Sequence, residues 1–174
     1  MKTYSLAHNL KLINITPPIP GFKEFFSIYV LKAGKVGLID VGPSASVENL
    51  MLGLGELNIN PSDISYILAT HIHIDHAGGI GKAIKQIPNA MVLVHERGGP
   101  HLTEPARLWE DSQRALGKLA LKYEPVEPVP QDRIITAKEG MSFNLGEMEI
   151  EVLNTPGHAL HHLSFVDRKE KRLF

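Results

Sequence analysis

Thr70-His71-Ile72-His73-Ile74-Asp75-His76-Ala77-Gly78-Gly79 is the densest run of chemistry-bearing side chains in the sequence, with three histidines and an aspartate within six positions. Ionisable groups crowded in this way cost free energy unless a site employs them. His71 and His73 are two apart, so on an extended segment both side chains point to one face. Two imidazoles on one face suit zinc, manganese or iron. Asp75 and His76 follow a short break and can face a second ion. Two ions about 3.5–4 Å apart can share a bridging hydroxide and clamp the attacking and leaving oxygens of a hydrolysis.

The flanks are consistent with such a site. Residues 64–69 read as a short buried strand delivering the motif at its carboxyl end, a common position for sites in layered α/β folds. Gly78-Gly79 permits a sharp turn. Residues 80–87 then read as a helix stopped at Pro88, whose N-terminus would favour an anionic group or a developing oxyanion. Upstream, residues 11–16 read as a strand, and the proline-rich run from Thr16 to Gly21, including Pro18, as a loop. Residues 25–31 and 36–41 read as a hairpin about Ala33-Gly34 that ends at Asp40. Ser46 caps a helix with Glu48 in its first turn and Val47, Leu50, Met51, Leu54 and Leu57 along one side.

Downstream, residues 91–94 read as a strand. The loop from His95 to His101 follows and brings His95 or His101 to a pocket rim. Residues 105–123 carry Leu108, Trp109, Ala115, Leu116, Leu119 and Ala120 at helical spacing, as one helix or two, either packed in the core or partly capping the site. An extended connection reaches Gln131. Short strands at 133–136, 141–143 and 148–153 lead to Thr155-Pro156-Gly157-His158. A strand at 163–166, a charged turn and the start of a returning strand at Arg172 close the sequence.

With 174 residues, 43% apolar and 21% charged, the chain is expected to form one ordinary globular domain. A net charge of −1 gives no general attraction to nucleic acid or an acidic membrane. The chain has no cysteine, no recognisable signal peptide and no apolar run long enough to span a bilayer. A cytoplasmic location and a small-molecule partner are therefore expected, with no nucleic-acid or membrane partner.

At these residues the sequence resembles the metallo-β-lactamase superfamily over nearly its whole length. Thr70 to Gly79 resembles the family's metal motif. Ile39-Asp40-Val41-Gly42 resembles its acidic turn, and Thr155-Pro156-Gly157-His158 the segment bearing its third histidine for the first metal. The resemblance implies an α/β (α+β) fold, a four-layer αββα sandwich. It assigns His71, His73 and His158 to metal 1, Asp75 and His76 to metal 2, and Asp40 to a carboxylate supporting the metal loop. His162 is read as structural or as a support behind the ligands. Three neutral imidazoles leave an open position on a tetrahedral ion. Family members usually continue with a bridging aspartate and a last histidine that residues 1–174 do not contain, so the single domain is expected to lack its C-terminal part.

The expected activity is metal-dependent hydrolysis of an ester, thioester or lactone by a metal-activated bridging hydroxide, with Asp75 as the catalytic carboxylate and two zinc ions, or iron or manganese, as cofactor. Histidine directly after Asp75 resembles the glyoxalase-II-like and broad hydrolase branches more than true β-lactamases. A mononuclear iron redox enzyme resembling sulfur dioxygenases, and a non-catalytic metal-binding module, are the alternatives.

Overall fold

The computed structural model describes every residue except Pro18; the reading of the proline-rich run as a loop lies, at that position, outside the described residues. Four strands open the chain: β1 (Lys2–Ala7), β2 (Leu10–Ile15), β3 (Phe26–Lys32) and β4 (Val36–Ile39). Helix α1 (Val47–Glu56), strand β5 (Ile64–Leu68), helix α2 (Ile80–Ile84) and strand β6 (Met91–His95) alternate after them. Three helices follow, α3 (Gly99–Thr103), α4 (Ala106–Leu116) and α5 (Lys118–Tyr123), and then β7 (Ile134–Ala137). Strands β8 (Ser142–Asn144), β9 (Glu149–Asn154), β10 (Leu163–Asp167) and β11 (Arg172–Leu173) complete the described chain.

The first seven strands form one sheet in chain order, and the last four form a second sheet ordered β11-β10-β9-β8. The larger sheet is antiparallel through β4 and parallel from β4 to β7. Its middle strands are covered on both faces, which is why β4 and β6 read as unbroken apolar runs rather than alternating ones. Leu31, Ile39, Leu68 and Leu93 face the smaller sheet and pack on Phe143, Ile150, Val152, Leu163 and Phe165. Ile28, Leu38, Ile67 and Val92 face the other way and pack against Val47, Leu50, Leu54, Ile80 and Ala83 of the helices. The described residues thus supply the helix, sheet and sheet layers of the expected sandwich.

Backbone hydrogen bonds tie the two sheets together at both ends. At one end Lys35 N donates to Leu145 O at 2.9 Å and Glu147 N to Ala33 O at 2.9 Å. At the other, Leu163 N donates to Thr70 O at 2.7 Å. This second link joins β10 to the start of the histidine-rich loop.

Several local readings change. Ser46 sits at the N-terminus of α1 but makes no capping hydrogen bond. Its backbone is helical (φ −100°, ψ −5°), because a 3₁₀ turn at Ser44–Ser46 precedes the helix, whereas a capping side chain needs an extended residue to reach back. Residues 105–123 form two helices, parted at Gly117 (φ 56°). No residue of α4 is buried; Leu108 and Trp109 are half-buried against the core. The last residues pair back on β10, with Phe165 and Phe174 exchanging two backbone bonds of 2.9 Å. Among the described residues no helix is long and apolar enough to cross a membrane.

Candidate metal centre

His71 and His73 leave the end of β5 on a non-helical segment, and His158 arrives on the loop between β9 and β10. One nitrogen from each of these three imidazoles lies within 4.8 Å of the others. His73 Nδ1 and His158 Nε2 are 3.1 Å apart. His71 is 2% exposed and its Nε2 has no hydrogen-bond partner. A buried polar atom without a partner is costly, and a cation shared with the neighbouring imidazoles would resolve it. Three converging imidazole donors fit a divalent metal, which His71, His73 and His158 would hold.

The tautomer of His71 follows from its hydrogen bonds. Thr70 Oγ1 has a single hydrogen, and it lies 2.8 Å from Asp40 Oδ2, which can only accept. The same hydroxyl is 3.0 Å from His71 Nδ1, so Nδ1–H is the donor there and Nε2 carries the free lone pair. Asp40 also accepts from Thr70 N at 2.8 Å through Oδ1 and from His76 Nδ1 at 2.8 Å through Oδ2. One carboxylate therefore orients His76 directly and His71 through Thr70. To do so Asp40, 7% exposed, adopts φ 59°, a left-handed conformation that aspartate tolerates better than most residues.

Burial pushes His71 down to about 2, and the neighbouring His76, His73, His162 and His158 add to the effect. Burial and then His158 hold His73 below its ordinary value, against a weaker opposing pull from Asp75. Neutral imidazoles are the form a metal binds. His76 behaves oppositely: burial disfavours its cation, but the Asp40 hydrogen bond, the Asp40 charge and Asp75 together raise it.

Asp75 and His76 stand beside the three histidines without joining their group among the described residues. Asp75 Oδ2 is 3.8 Å from His76 Nε2. The two residues line a cavity of about 290 Å³ with Asp40, Phe25 and Phe26. Asp75 also lines a second cavity of about 320 Å³ on its other side, with His73, His158 and the α4 residues Ser112, Ala115 and Leu116. The stripe is therefore divided, Ala115 and Leu116 walling this cavity while Leu108 and Trp109 pack on the core.

His101 lies at the expected rim, on a cavity shared with His73, Asp111 and His161. His95 is buried at the end of β6, its Nδ1 accepts from Arg97 N at 3.1 Å, and it lines a separate cavity with Asn154, Pro156 and Leu160. His162 is held by Thr155, with Oγ1 to Nδ1 at 2.9 Å, and its ring lies 5.2 Å from that of His71. It braces His71 from behind. Sequence reasoning gave no role to Thr70, Thr155 or His161. The two threonines immediately precede or lead a ligand segment, which was the available signal; His161 accepts a long 3.5 Å bond from Ile72 N, a contact no spacing foretells.

The start of α2 does not aim donors into the site. Gly79 N donates to Gly42 O at 2.9 Å, and Ile80 N to Ala77 O at 3.1 Å. Gly78 and Gly79 serve close packing: a Cβ on Gly78 would overlap the Ile74 carbonyl oxygen, and one on Gly79 would lie 2.9 Å from Gly42 O. Val41 N and Gly42 N both donate to His76 O, so the ligand loop and the Asp40 turn form one packed unit.

Residues 26–174 match the family model of the metallo-beta-lactamase superfamily. The chain is 33% identical over 148 residues to the metallo-beta-lactamase fold-containing protein ST1585 of Sulfurisphaera tokodaii, covering 82% of this chain and 53% of that protein. The solved structure of ST1585 superposes with a TM-score of 0.75 at 32% identity, covering 91% of this chain and 60% of the other. A hydroxyacylglutathione hydrolase of Idiomarina loihiensis is 30% identical over 131 residues, covering 75% of this chain and 37% of that enzyme. The chain spans about half the length of ST1585 and less of the hydrolase. With its histidine cluster on the turn after β5 and its third imidazole supplied from the second sheet, the chain belongs to the metallo-beta-lactamase superfamily.

Proposed function

We propose that this chain carries the metal-binding part of a divalent-metal-dependent hydrolase that cleaves an acyl ester, thioester or lactone. The observation that carries the proposal is the buried, unpartnered Nε2 of His71, with its tautomer fixed through Thr70 and Asp40 and with His73 and His158 converging beside it. His71, His73 and His158 would hold the first ion. Asp75 and His76 would contribute to a second, with Asp40 fixing His76. Zinc is the favoured metal on the donor set, and a binuclear centre the favoured count. The relatives named as hydroxyacylglutathione hydrolases support an acyl substrate.

A bound divalent cation supplies Lewis-acid polarisation and a nucleophile available at neutral pH. The chain's own groups do the rest. Asp75, half-buried between the two cavities, orients the attacking water and passes its proton toward the leaving group. The neutral His71 and His73 keep their lone pairs for the ion. A small-molecule substrate and a single domain that includes residues 1–174 belong to the same reading, as does a cytoplasmic location.

The test is metal analysis together with hydrolysis assays on thioester and lactone panels. Two ions per chain with acyl hydrolysis is the expected result, and His71→Ala should remove the first ion and turnover together. Turnover by His71→Ala at normal metal content would sink the assignment. One ion per chain would favour a mononuclear centre, a reading supported by the separation of Asp75 and His76 from the three-histidine group.

A further inference from the structure

The two cavities that share Asp75 differ in character. The one on the His76 side is bounded by Asp40, Ser27 and the ring edges of Phe25 and Phe26. The one on the His73 and His158 side, about 320 Å³, has a polar floor and an apolar wall made by Ile74, Ala115 and Leu116. Ala115 and Leu116 are exposed, Leu116 at 38%, on a helix with no buried residue of its own. Apolar side chains left facing a cleft beside reactive groups gain free energy when an apolar ligand covers them. The wall is continuous with the candidate centre, so its occupant is the part of the substrate attached to the reacting carbon.

We infer that Ala115 and Leu116 of α4, with Ile74, form the subsite for an apolar acyl chain, so that the substrate class is a medium-chain acyl ester, thioester or lactone rather than a short or strongly charged acyl group. The inference rests on the hydrolase reading for its chemistry and on the cavity for its specificity. Ser112, half-buried on the same face, donates its one hydroxyl hydrogen to Leu108 O at 2.7 Å, so toward a substrate it offers only an acceptor. Each methylene group fully withdrawn from water is worth about fourfold in affinity.

Trp109, the only tryptophan in the sequence, precedes Ser112 by three positions and Leu116 by seven, on the same stripe of α4. Packed on the core rather than in the cavity, it reports on the wall indirectly, through shifts of α4. Acetate, butyrate and octanoate share one head group and differ only in tail, so titrating each into the metal-loaded chain, with Trp109 fluorescence and calorimetry as readouts, isolates the tail. Octanoate should bind roughly tenfold or more tightly than butyrate and should shift Trp109 emission. In Leu116→Asp, an exposed position whose change leaves the core intact, that preference should vanish, and Leu116→Met should retain it.

Equal affinity for the three acids overturns the inference, as does an undiminished octanoate preference in Leu116→Asp. Because binding is read without turnover, the two readings separate cleanly. A chain-length preference without hydrolysis counts against the hydrolase reading alone, and hydrolysis of acetyl and octanoyl substrates at equal kcat/KM counts against the subsite alone.

Discussion

Asp40 holds two candidate ligands at once, and losing its second acceptor should be felt at both. In Asp40→Asn the amide nitrogen cannot accept from His76 or from Thr70. Metal affinity is expected to fall by about 10–100-fold, measured by competition against a chromogenic chelator. Thr70→Val breaks only the branch to His71 and should have a smaller effect of the same sign. The depressed histidines also set a pH dependence. His71, lowered to about 2, stays neutral when folded but takes up a proton when unfolded below its ordinary value of 6.5. The stability it contributes is present above pH 6.5 and is lost as pH falls toward 2. His73, His161 and His162, also lowered, act in the same direction. His76 is raised, so it opposes them, adding stability at low pH that is lost as pH rises through its folded value. Four lowered groups against one raised predict a metal-free chain with a lower Tm at pH 5.5 than at pH 8, checked by thermal unfolding with chelator. At this scale the ligands were legible because six adjacent positions carry four donors. The Thr70 bridge was not, because a hydroxyl beside a histidine acquires its role only when Asp40 arrives from another strand.

Among the elements, Ser46 and Gly78 give the sharpest tests. A working cap would make Ser46→Ala cost about 1 kcal/mol. With no capping bond and a buried Oγ that lacks a partner, the substitution should instead fall within about 0.5 kcal/mol of neutral, or stabilise slightly, in denaturant unfolding. Gly78→Ala should cost about 1–3 kcal/mol, because the new methyl group displaces the Ile74 carbonyl on the ligand loop, and metal content should drop with it. The strands were legible from apolar runs bounded by turn residues, and β3 and β5 lie within a residue of where those runs place them. The helix starts were legible too, α1 beginning directly after Ser46 and α2 at Ile80, but how their first groups are satisfied was not. Capping depends on the backbone angles of one residue, and the preceding 3₁₀ turn set those of Ser46. The donor role read into the start of α2 is absent for a related reason, since Gly79 N is taken by Gly42 O and Ile80 N by Ala77 O of the preceding turn.

For the molecule as a whole, the candidate centre clasps two sheets through side chains far apart in the chain, His73 and His158 being 85 positions apart. Any ion bound only by the folded state stabilises it by mass action, about 2.7 kcal/mol at a free concentration of 100 Kd. Chelation should therefore lower Tm, and restoring the metal should recover it; an unchanged Tm would mean that the three imidazoles do not bind in common. The sandwich itself was legible through the family resemblance. Its sheet order was not, since local periodicity says which face of a strand is buried but not which strand lies beside it. The larger sheet nevertheless repeats the order of the chain, from β1 to β7. A polypeptide leaving the ribosome at about 5–20 residues per second can lay each of those strands against the edge just completed. The smaller sheet emerges after the larger, and His158 with it. During synthesis His71 and His73 wait without their third partner, so capture of an ion by all three imidazoles becomes possible only once the second sheet has docked, and a filled site certifies that the two sheets have met.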